Sequence, residues 1–151
     1  MDFTSQIKQA MNSIRARSEA VAEAVVVAVG ESLVEKSPVG VPERWNMNPP
    51  DNYQPGQFKG SWHHSFGSPS DDYTSTVDAS GASSMREVRH GANQESISKH
   101  FFTNNLFYAM EMERGGAIHA MAVQPVGHAM VQLTELEFPM LVREALAKVK
   151  V

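Results

Sequence analysis

The feature that most constrains the fold is a repeat of apolar and small residues, spaced by three and four, at the start of the chain. Its members are Ile7, Met11, Ile14, Ser18, Val21, Val25, Ala28 and Ser32. This spacing places them on one face of a helix, so we predict one long helix from Phe3 to about Lys36. Asp2 or Thr4 can cap its first turn, and Pro38 ends it by restricting the residue before it.

Three consecutive valines, Val25, Val26 and Val27, make this helix apolar around much of its circumference. An amphipathic helix most often covers the core of its own domain. The alternative is a seam against another subunit, and the valine run favours burial on two sides. We therefore take Val25, Val26 and Val27 as candidate interface residues and leave both uses open.

Residues 37–56 form a turn-rich segment with five prolines and two glycines. Loops of more than about a dozen residues without secondary structure are usually functional or disordered. Trp45 and Tyr53 give this segment aromatic surface that can be buried either in a partner or on the domain itself. They are the second set of candidate interface residues.

The middle of the chain has the two-residue period of strands. Residues 57–67 alternate Phe58, Gly60, Trp62, His64 and Phe66 with polar positions, which predicts a strand. Residues 73–80 predict a second strand, giving a hairpin. Over 81–103 the pattern weakens, and we expect short strands or a polar loop, with 87–89 and 97–102 as the strand candidates. Residues 104–116 fit a helix or a strand equally well.

A second helix is predicted over about 128–150. Its apolar face comprises Met130, Leu133, Leu136 or Glu137, Met140, Leu141, Ala145 and Val149. Pro139 lies inside it and predicts a kink or a restart near Phe138. The whole chain of 151 residues is expected to form a single α+β domain, with the long N-terminal helix and the C-terminal helix packed on a small, mostly antiparallel sheet.

Composition argues against several classes of function. The formal net charge is −4 and the basic residues are scattered, which disfavours a protein that grips nucleic acid through phosphates. Cysteine is absent, and the six histidines lack the short mutual spacings of a metal site. No nucleophile elbow or phosphate-binding glycine loop is present. We therefore expect no enzyme activity, no metal and no cofactor.

The chain is also expected to be soluble. The longest apolar run, residues 20–29, is about half the roughly twenty residues that a membrane span needs, and it contains Glu23. The first ten residues lack the basic and apolar regions of a secretory signal.

Three short motifs follow one another in a fixed order. The first motif ends the first helix with Pro38 and Val39 and continues with Ser61 and Trp62. The second is a Tyr-Ala-x-x-x-Glu-x-Gly motif made of Tyr108, Ala109, Glu113 and Gly115. The third is a Pro-x-Gly motif before the last helix, made of Pro125 and Gly127. In this order the chain resembles the tail-completion, or neck, proteins of long-tailed bacteriophages. It departs from them in the proline-rich segment, because the family continues almost directly from Pro-Val to the strand. Residues 37–56 therefore carry an insertion.

The resemblance implies a structural virion protein without catalysis, located in the neck or tail and assembled in the host cytoplasm. It implies a homo-oligomeric ring, expected to have six copies, between the head connector or adaptor and the tail terminator or tail tube. The Tyr-Ala and Glu-x-Gly elements would fix a tight turn and present a surface to the adjoining ring. DNA would pass without specific binding, which an acidic wall favours, and no membrane would be involved.

Two other classes of function stay open. One is a small binding module that holds a protein through the proline-rich loop. The other is a small metal-dependent enzyme.

Overall fold

The computed structural model describes residues 2–40, 51, 54–74, 76–94, 99–118, 122–124 and 127–149. Its helices are α1 (Phe3–Lys36), α2 (Ala82–Gln94), α3 (Ala109–Arg114) and α4 (Met130–Lys148). Its strands are β1 (His63–Phe66), β2 (His100–Thr103), β3 (Gly116–Ile118) and β4 (Ala122–Gln124), and one 3-10 turn spans Lys59–Ser61.

The fold is α+β, as predicted, with the long N-terminal helix and the C-terminal helix packed on a small antiparallel sheet. β1 pairs with β2 in antiparallel register, from His63 opposite Thr103 to Phe66 opposite His100. β3 and β4 form a separate antiparallel pair. α1 packs against both α2 and α4. α2 packs directly on β1, and α1 approaches β2 at Gly30, where an added Cβ would lie 2.7 Å from Phe102 Cε1.

The core lies where the last turns of α1 meet the segment that leads into β1. The buried cluster consists of Leu33, Val34, Phe58, Trp62, Leu106, Met112 and Met130. The rings of Phe58 and Trp62 meet edge to face with centroids 6.1 Å apart, a favoured geometry for aromatic pairs. α1 begins at Asp2, whose carboxylate accepts a hydrogen bond from the Ser5 amide at 2.7 Å. It ends at Ser37, whose extended backbone precedes Pro38.

The predicted strand over 57–67 is wrong in its first half. Residues 54–61 are turns and the 3-10 turn, and only His63–Phe66 is a strand. The Ser61 hydroxyl donates to the Gln57 carbonyl at 2.7 Å, which stabilises the local turn. Phe58 and Trp62 are both buried, as expected. They are four residues apart, and this spacing keeps two side chains on one side in a strand and in a helical turn alike.

The predicted hairpin with a strand over 73–80 is also wrong. Within 71–74 and 76–80 no residue is in a strand, and β1 takes its partner from β2 instead. The Asp78 carboxylate accepts from the Ser83 amide at 2.8 Å and from the Ser80 amide at 2.9 Å. These bonds turn the chain into α2, which replaces the predicted strand at 87–89. The candidate at 97–102 is confirmed in part, because β2 covers His100–Thr103.

α4 passes through Pro139 without interruption, so of the predicted kink or restart near Phe138 the restart is wrong and the kink stays a prediction. Proline removes one backbone donor from the helix, and Pro139 is exposed, where water can satisfy the freed carbonyl. The ambiguous segment 104–116 contains α3, which ends at Gly115 with a positive φ of 84°. Such a left-handed conformation suits glycine and stops the helix.

Candidate assembly interface

The first motif forms a junction beneath the end of α1. The Trp62 indole N–H donates to Ser37 Oγ at 2.7 Å, and Ser37 Oγ donates to the Leu33 carbonyl at 2.8 Å. Ser61 is buried, whereas Pro38 and Val39 are half-buried. The buried indole N–H is thus satisfied by the residue just before Pro38. This junction joins Trp62 to the end of α1 and explains why the Pro-Val and Ser-Trp elements belong together.

The two described ends of the proline-rich segment are joined to each other. The Val39 carbonyl accepts a hydrogen bond from the Gly56 amide at 2.7 Å. Gly56 has φ of 99°, which favours glycine, and its carbonyl accepts from the Gly60 amide at 2.9 Å. The base of the segment is therefore closed. Trp45 and Tyr53, the candidate interface residues within it, lie outside the described residues.

The second and third motifs meet at the start of α4. The Glu113 carboxylate accepts from the amides of Val131 at 3.0 Å and Gln132 at 3.1 Å. These are free amides of the first turn of α4, where a carboxylate also favours the helix dipole. A Cβ on Gly127 would run into the Glu113 carbonyl oxygen. Glu113 thus caps α4, and Gly127 allows the two backbones to approach.

The remaining motif residues support this junction from α3. The Tyr108 hydroxyl lies 3.3 Å from Gln57 Oε1, and the Tyr108 ring centroid lies 6.0 Å from that of Phe58. Ala109 packs against the core cluster. Gly115 ends α3, and Pro125 lies outside the described residues. The motif residues that the structure describes therefore hold α1, α3 and α4 together, a role that sequence reasoning did not assign to Glu113.

α1 and α4 run antiparallel. Ser37 Oγ lies 3.4 Å from Met130 Sδ, and Ser32 Oγ lies 3.1 Å from Thr134 Oγ1. Residues that come earlier in α1 thus lie beside residues that come later in α4. The Lys36 ammonium reaches back along α1 and pairs with Glu137 at 2.6 Å. At 1.5 Å per residue, α4 is about 28 Å long and α1 about 51 Å. α4 can therefore cover little more than half of α1.

The uncovered part of α1 carries apolar side chains. We call residues 3–18 the arm; every one of them is exposed. Phe3 is 75% exposed, Met11 64% and Ile14 68%, and Ile7 is also exposed. The candidate residues Val25, Val26 and Val27 lie beyond the arm and are half-buried. The predicted repeat thus continues from the covered part of the helix into solvent.

α4 carries a second apolar surface on its solvent side. The predicted apolar face is correct for Met130, Leu141 and Ala145, which are buried. It is wrong for Leu133, Leu136 and Met140, which are exposed and which we call the outer stripe; Leu136 is 74% exposed. Their spacing of three and four puts them on one line of the helix, about 120° around the axis from the buried Thr134. The sequence carried both stripes, but reasoning from it merged them into one face.

A pair of histidines lies in the sheet, His64 in β1 and His100 in β2. His64 Nε2 and His100 Nδ1 are 2.9 Å apart, and the His64 amide donates to Glu87 Oε1 at 3.0 Å. Burial, and then the nearby His100, lower the pKa of His64, while Glu87 opposes this shift. Two imidazoles joined by one hydrogen bond cannot both be charged without cost. This pair is a proton-sensitive contact within the fold.

The described residues contain no group of three or more His, Asp or Glu that could hold a metal ion. Within the same residues, no helix is long and apolar enough to cross a membrane. No family model, no curated protein and no solved structure matches this chain. Its function is therefore argued from its own residues.

Proposed function

We propose that this chain is a structural protein of the bacteriophage neck, where copies of it form a ring, expected to have six members, between the head connector and the tail tube. The observation that carries the proposal is the placement of the three motifs. Two junctions fix α1, α3 and α4. One joins Ser37 to Trp62, and the other brings Glu113 next to Gly127 and the start of α4. The motifs on which the family resemblance rests are thus contacts of one fold.

The distribution of exposed surface supports an assembly role. The described motif residues make contacts within the chain, while the arm and the outer stripe are exposed. Large exposed apolar patches on a protein usually mark interaction surfaces. A ring needs two different surfaces on each subunit, since head-to-tail contacts are not self-complementary. The chain offers such surfaces on separate helices.

The charge balance supports a passage for DNA. The formal net charge of −4 gives a duplex no strong general attraction, because affinity for phosphates grows with the number of cations that neutralise them. A neck ring must let the genome pass during ejection. A wall that does not retain the duplex suits this task.

Particle assembly tests the proposal. A stop codon in this gene of the encoding phage should give filled heads and separate tails in electron micrographs, and the gene supplied in trans should restore joined particles. Heads that fail to fill, tails that fail to form, or normal infectious particles would each contradict a joining role.

The proline-rich segment has its own test. Trp45→Ala combined with Tyr53→Ala should give filled heads without attached tails if these aromatics anchor the contact, as buried aromatics often do. The matched control is Trp45→Phe with Tyr53→Phe, which keeps aromatic surface and should keep joined particles. If the alanine double variant gives only joined particles, the loop has no role in joining heads to tails.

A binding module remains a second candidate, and the closed base of the proline-rich segment favours it. Because the Val39 carbonyl and the Gly56 amide are already bonded, the segment can be presented to a partner without unfolding the domain. Replacing residues 41–54 by a short Gly-Ser linker should then leave the melting temperature nearly unchanged. If the variant assembles normal particles yet loses a protein ligand that the parent chain retains, the binding module is the better description.

A further inference from the structure

The apolar stripe of the arm is exposed and is not covered by any other described part of the chain. An isolated helix of about sixteen residues is only marginally stable in water, because packing of an apolar face supplies most helical stability. All of residues 3–18 are exposed, including the four large apolar side chains Phe3, Ile7, Met11 and Ile14. A surface that packs on this stripe would therefore stabilise the arm as well as bury it.

The charges beside the arm's stripe are all of one sign. Ile7, Met11 and Ile14 occupy the spacing of the seam positions of a two-helix coiled coil. Lys8, Arg15 and Arg17 then fall at the positions that flank such a seam, and residues 3–18 contain no acidic residue. Arg15 already pairs with Glu19 at 2.9 Å within α1, at an exposed site. The arm therefore presents an apolar seam with basic edges.

The outer stripe of α4 has the opposite charge along one edge. Leu133, Leu136 and Met140 again have seam spacing, and Glu137 and Glu144 recur seven residues apart beside them. Glu144 is exposed, whereas Glu137 also pairs with Lys36. Arg143 follows Met140 at the next seam position, where its Nε donates to the Pro139 carbonyl at 3.3 Å. One basic edge of the arm, either the edge with Lys8 and Arg15 or the edge with Arg17, can face the edge that carries the two glutamates.

These charges select between the possible pairings of two copies. Arm against arm would bring Lys8, Arg15 and Arg17 beside their own equivalents, and like charges at flanking positions oppose pairing. Stripe against stripe would do the same for Glu137 and Glu144. Arm against stripe joins opposite charges along one edge of the seam. The favoured contact thus uses two different surfaces.

The arm cannot reach the outer stripe of its own chain. In the antiparallel pair, Leu136 is level with about residue 30 of α1, because Ser32 lies beside Thr134. Ile14 is therefore about 24 Å away along the helix axis, at 1.5 Å per residue. An outer stripe that packs on the arm must therefore belong to another molecule.

We propose that the arm of one copy packs along the outer stripe of α4 of the next copy. This inference rests on the proposed function, because it names the contact through which the ring closes. The contact is heterologous, and a heterologous contact repeated from copy to copy builds a closed ring or an open filament. Each subunit then gives one arm and receives one.

Cysteine cross-linking tests this contact. The chain contains no cysteine, so every disulfide joins introduced residues, and chains with only one of the two cysteines measure the contacts of the stripe with itself and of the arm with itself. Leu136→Cys is combined in turn with Ile7→Cys, Met11→Cys and Ile14→Cys, which covers both directions of the arm. A disulfide needs Cα atoms within about 7 Å, so a bond within one chain is excluded by the axial separation. On mild oxidation of concentrated protein, at least one pair should give a ladder of covalent oligomers.

The matched control is Gln9→Cys with Leu136→Cys. Gln9 is exposed on the opposite side of the arm from Ile7 and Ile14. The best stripe pair should give at least about tenfold more covalent oligomer than this control, the ratio that about 1.4 kcal/mol of preference produces. Equal yields from stripe and control pairs, or no ladder from any of the three stripe pairs, would overturn the inference.

Charge reversal gives an independent measure. Lys8→Glu with Arg17→Glu should reduce the ladder several-fold, and Glu144→Lys in the same chain should restore part of it. Reduction without restoration would contradict the assigned edge.

The two proposals fail separately: a ladder together with normal particles from the stop-codon phage would refute the neck role alone. Unjoined heads and tails without any ladder would refute the arm contact alone.

Discussion

The two parts of α1 use the same repeat for different ends. In the part that we call the anchor, residues 19–36, the stripe is covered by the chain itself: Ser32 is buried beside Thr134, and Leu33 and Val34 enter the core. In the arm, Ile7, Met11 and Ile14 continue the repeat in solvent. Apolar periodicity thus shows which face of a helix is to be covered. What covers it depends on the length of the neighbouring elements.

Side-chain size sharpens this contrast. A Cβ on Gly30 in the anchor would lie only 2.5 Å from Val88 Cγ1 and 2.7 Å from Phe102 Cε1, so α1 approaches its neighbours there as closely as glycine allows. The arm instead has Phe3 and Met11. Small residues fit a close, finished contact, whereas large flexible ones leave room for a partner that arrives later.

The largest effect is expected from removing the side chain to which the anchor is fastened. Trp62 is 7% exposed, and Trp62→Ala should reduce the free energy of unfolding by about 3–5 kcal/mol, because it leaves a cavity in the core. Denaturant unfolding measures this change. Trp62→Phe keeps most of the ring but removes the donor to Ser37, and should cost less. A loss below about 1 kcal/mol for Trp62→Ala would mean that this contact does not hold α1.

A matched pair of substitutions within α1 tests the comparison directly. Leu33 is 6% exposed and Ile14 is 68% exposed. Leu33→Ala should lower the free energy of unfolding by about 2–5 kcal/mol, and Ile14→Ala, in dilute monomer, by less than about 0.5 kcal/mol. Similar losses at both positions would show that the arm is packed within the monomer.

A smaller loss of stability is expected at acid pH, and it should not depend on the arm. Burial and the nearby His100 lower the pKa of His64 below its ordinary value of 6.5, and burial also lowers the pKa of His128. At a pH between the lowered pKa values and 6.5, these two histidines therefore bind more protons in the unfolded chain than in the folded chain. Stability should be complete above about pH 6.5 and should fall as the pH drops through 6.5 towards the lowered pKa values.

His64→Phe separates this contribution. The ring of His64 lies 5.1 Å from that of His100 and 5.2 Å from that of Phe102, so phenylalanine keeps a stacked ring. The variant should lose less stability between pH 7.5 and 5.5 than the parent, with His63, Glu87 and His100 left in place. Identical pH profiles would exclude His64 as a source of acid sensitivity. Ile14→Ala should leave the parent profile unchanged.

The helices could be predicted because their signals are local. The repeat in α1 and its stop at Pro38 give the bounds Phe3–Lys36 almost to the residue. The strands could not be predicted in the same way, since Phe58 and Trp62 suit either period. The partner of β1 is set by long-range pairing with His100–Thr103, which no local pattern announces.

The interface residues Val25, Val26 and Val27, which are half-buried, stay a prediction. On α4, sequence reasoning put Leu133, Leu136 or Glu137, and Met140 on one apolar face with residues that the structure buries. Which of two apolar stripes faces the core depends on how the helices are rotated against each other. That rotation is fixed by distant contacts such as Ser32 with Thr134. The role of Glu113 as a cap also required the fold, since Val131 is 18 residues away.

The smallest effect should come from the free end of the arm. Asp2 accepts the Ser5 amide at 2.7 Å, and this bond, from the Ser5 backbone first, lowers the pKa of Asp2. Asp2→Ala removes the cap, so the first turn of α1 should fray and the amides of residues 4–6 should exchange faster with solvent. Because the arm is not packed in the monomer, the melting temperature should stay unchanged. Formation of cross-linked oligomers should slow the same amides even in Asp2→Ala, since a neighbour's outer stripe would then hold the turn that the cap no longer secures. A lowered melting temperature in the dilute monomer would instead show that the two parts of α1 unfold as one unit.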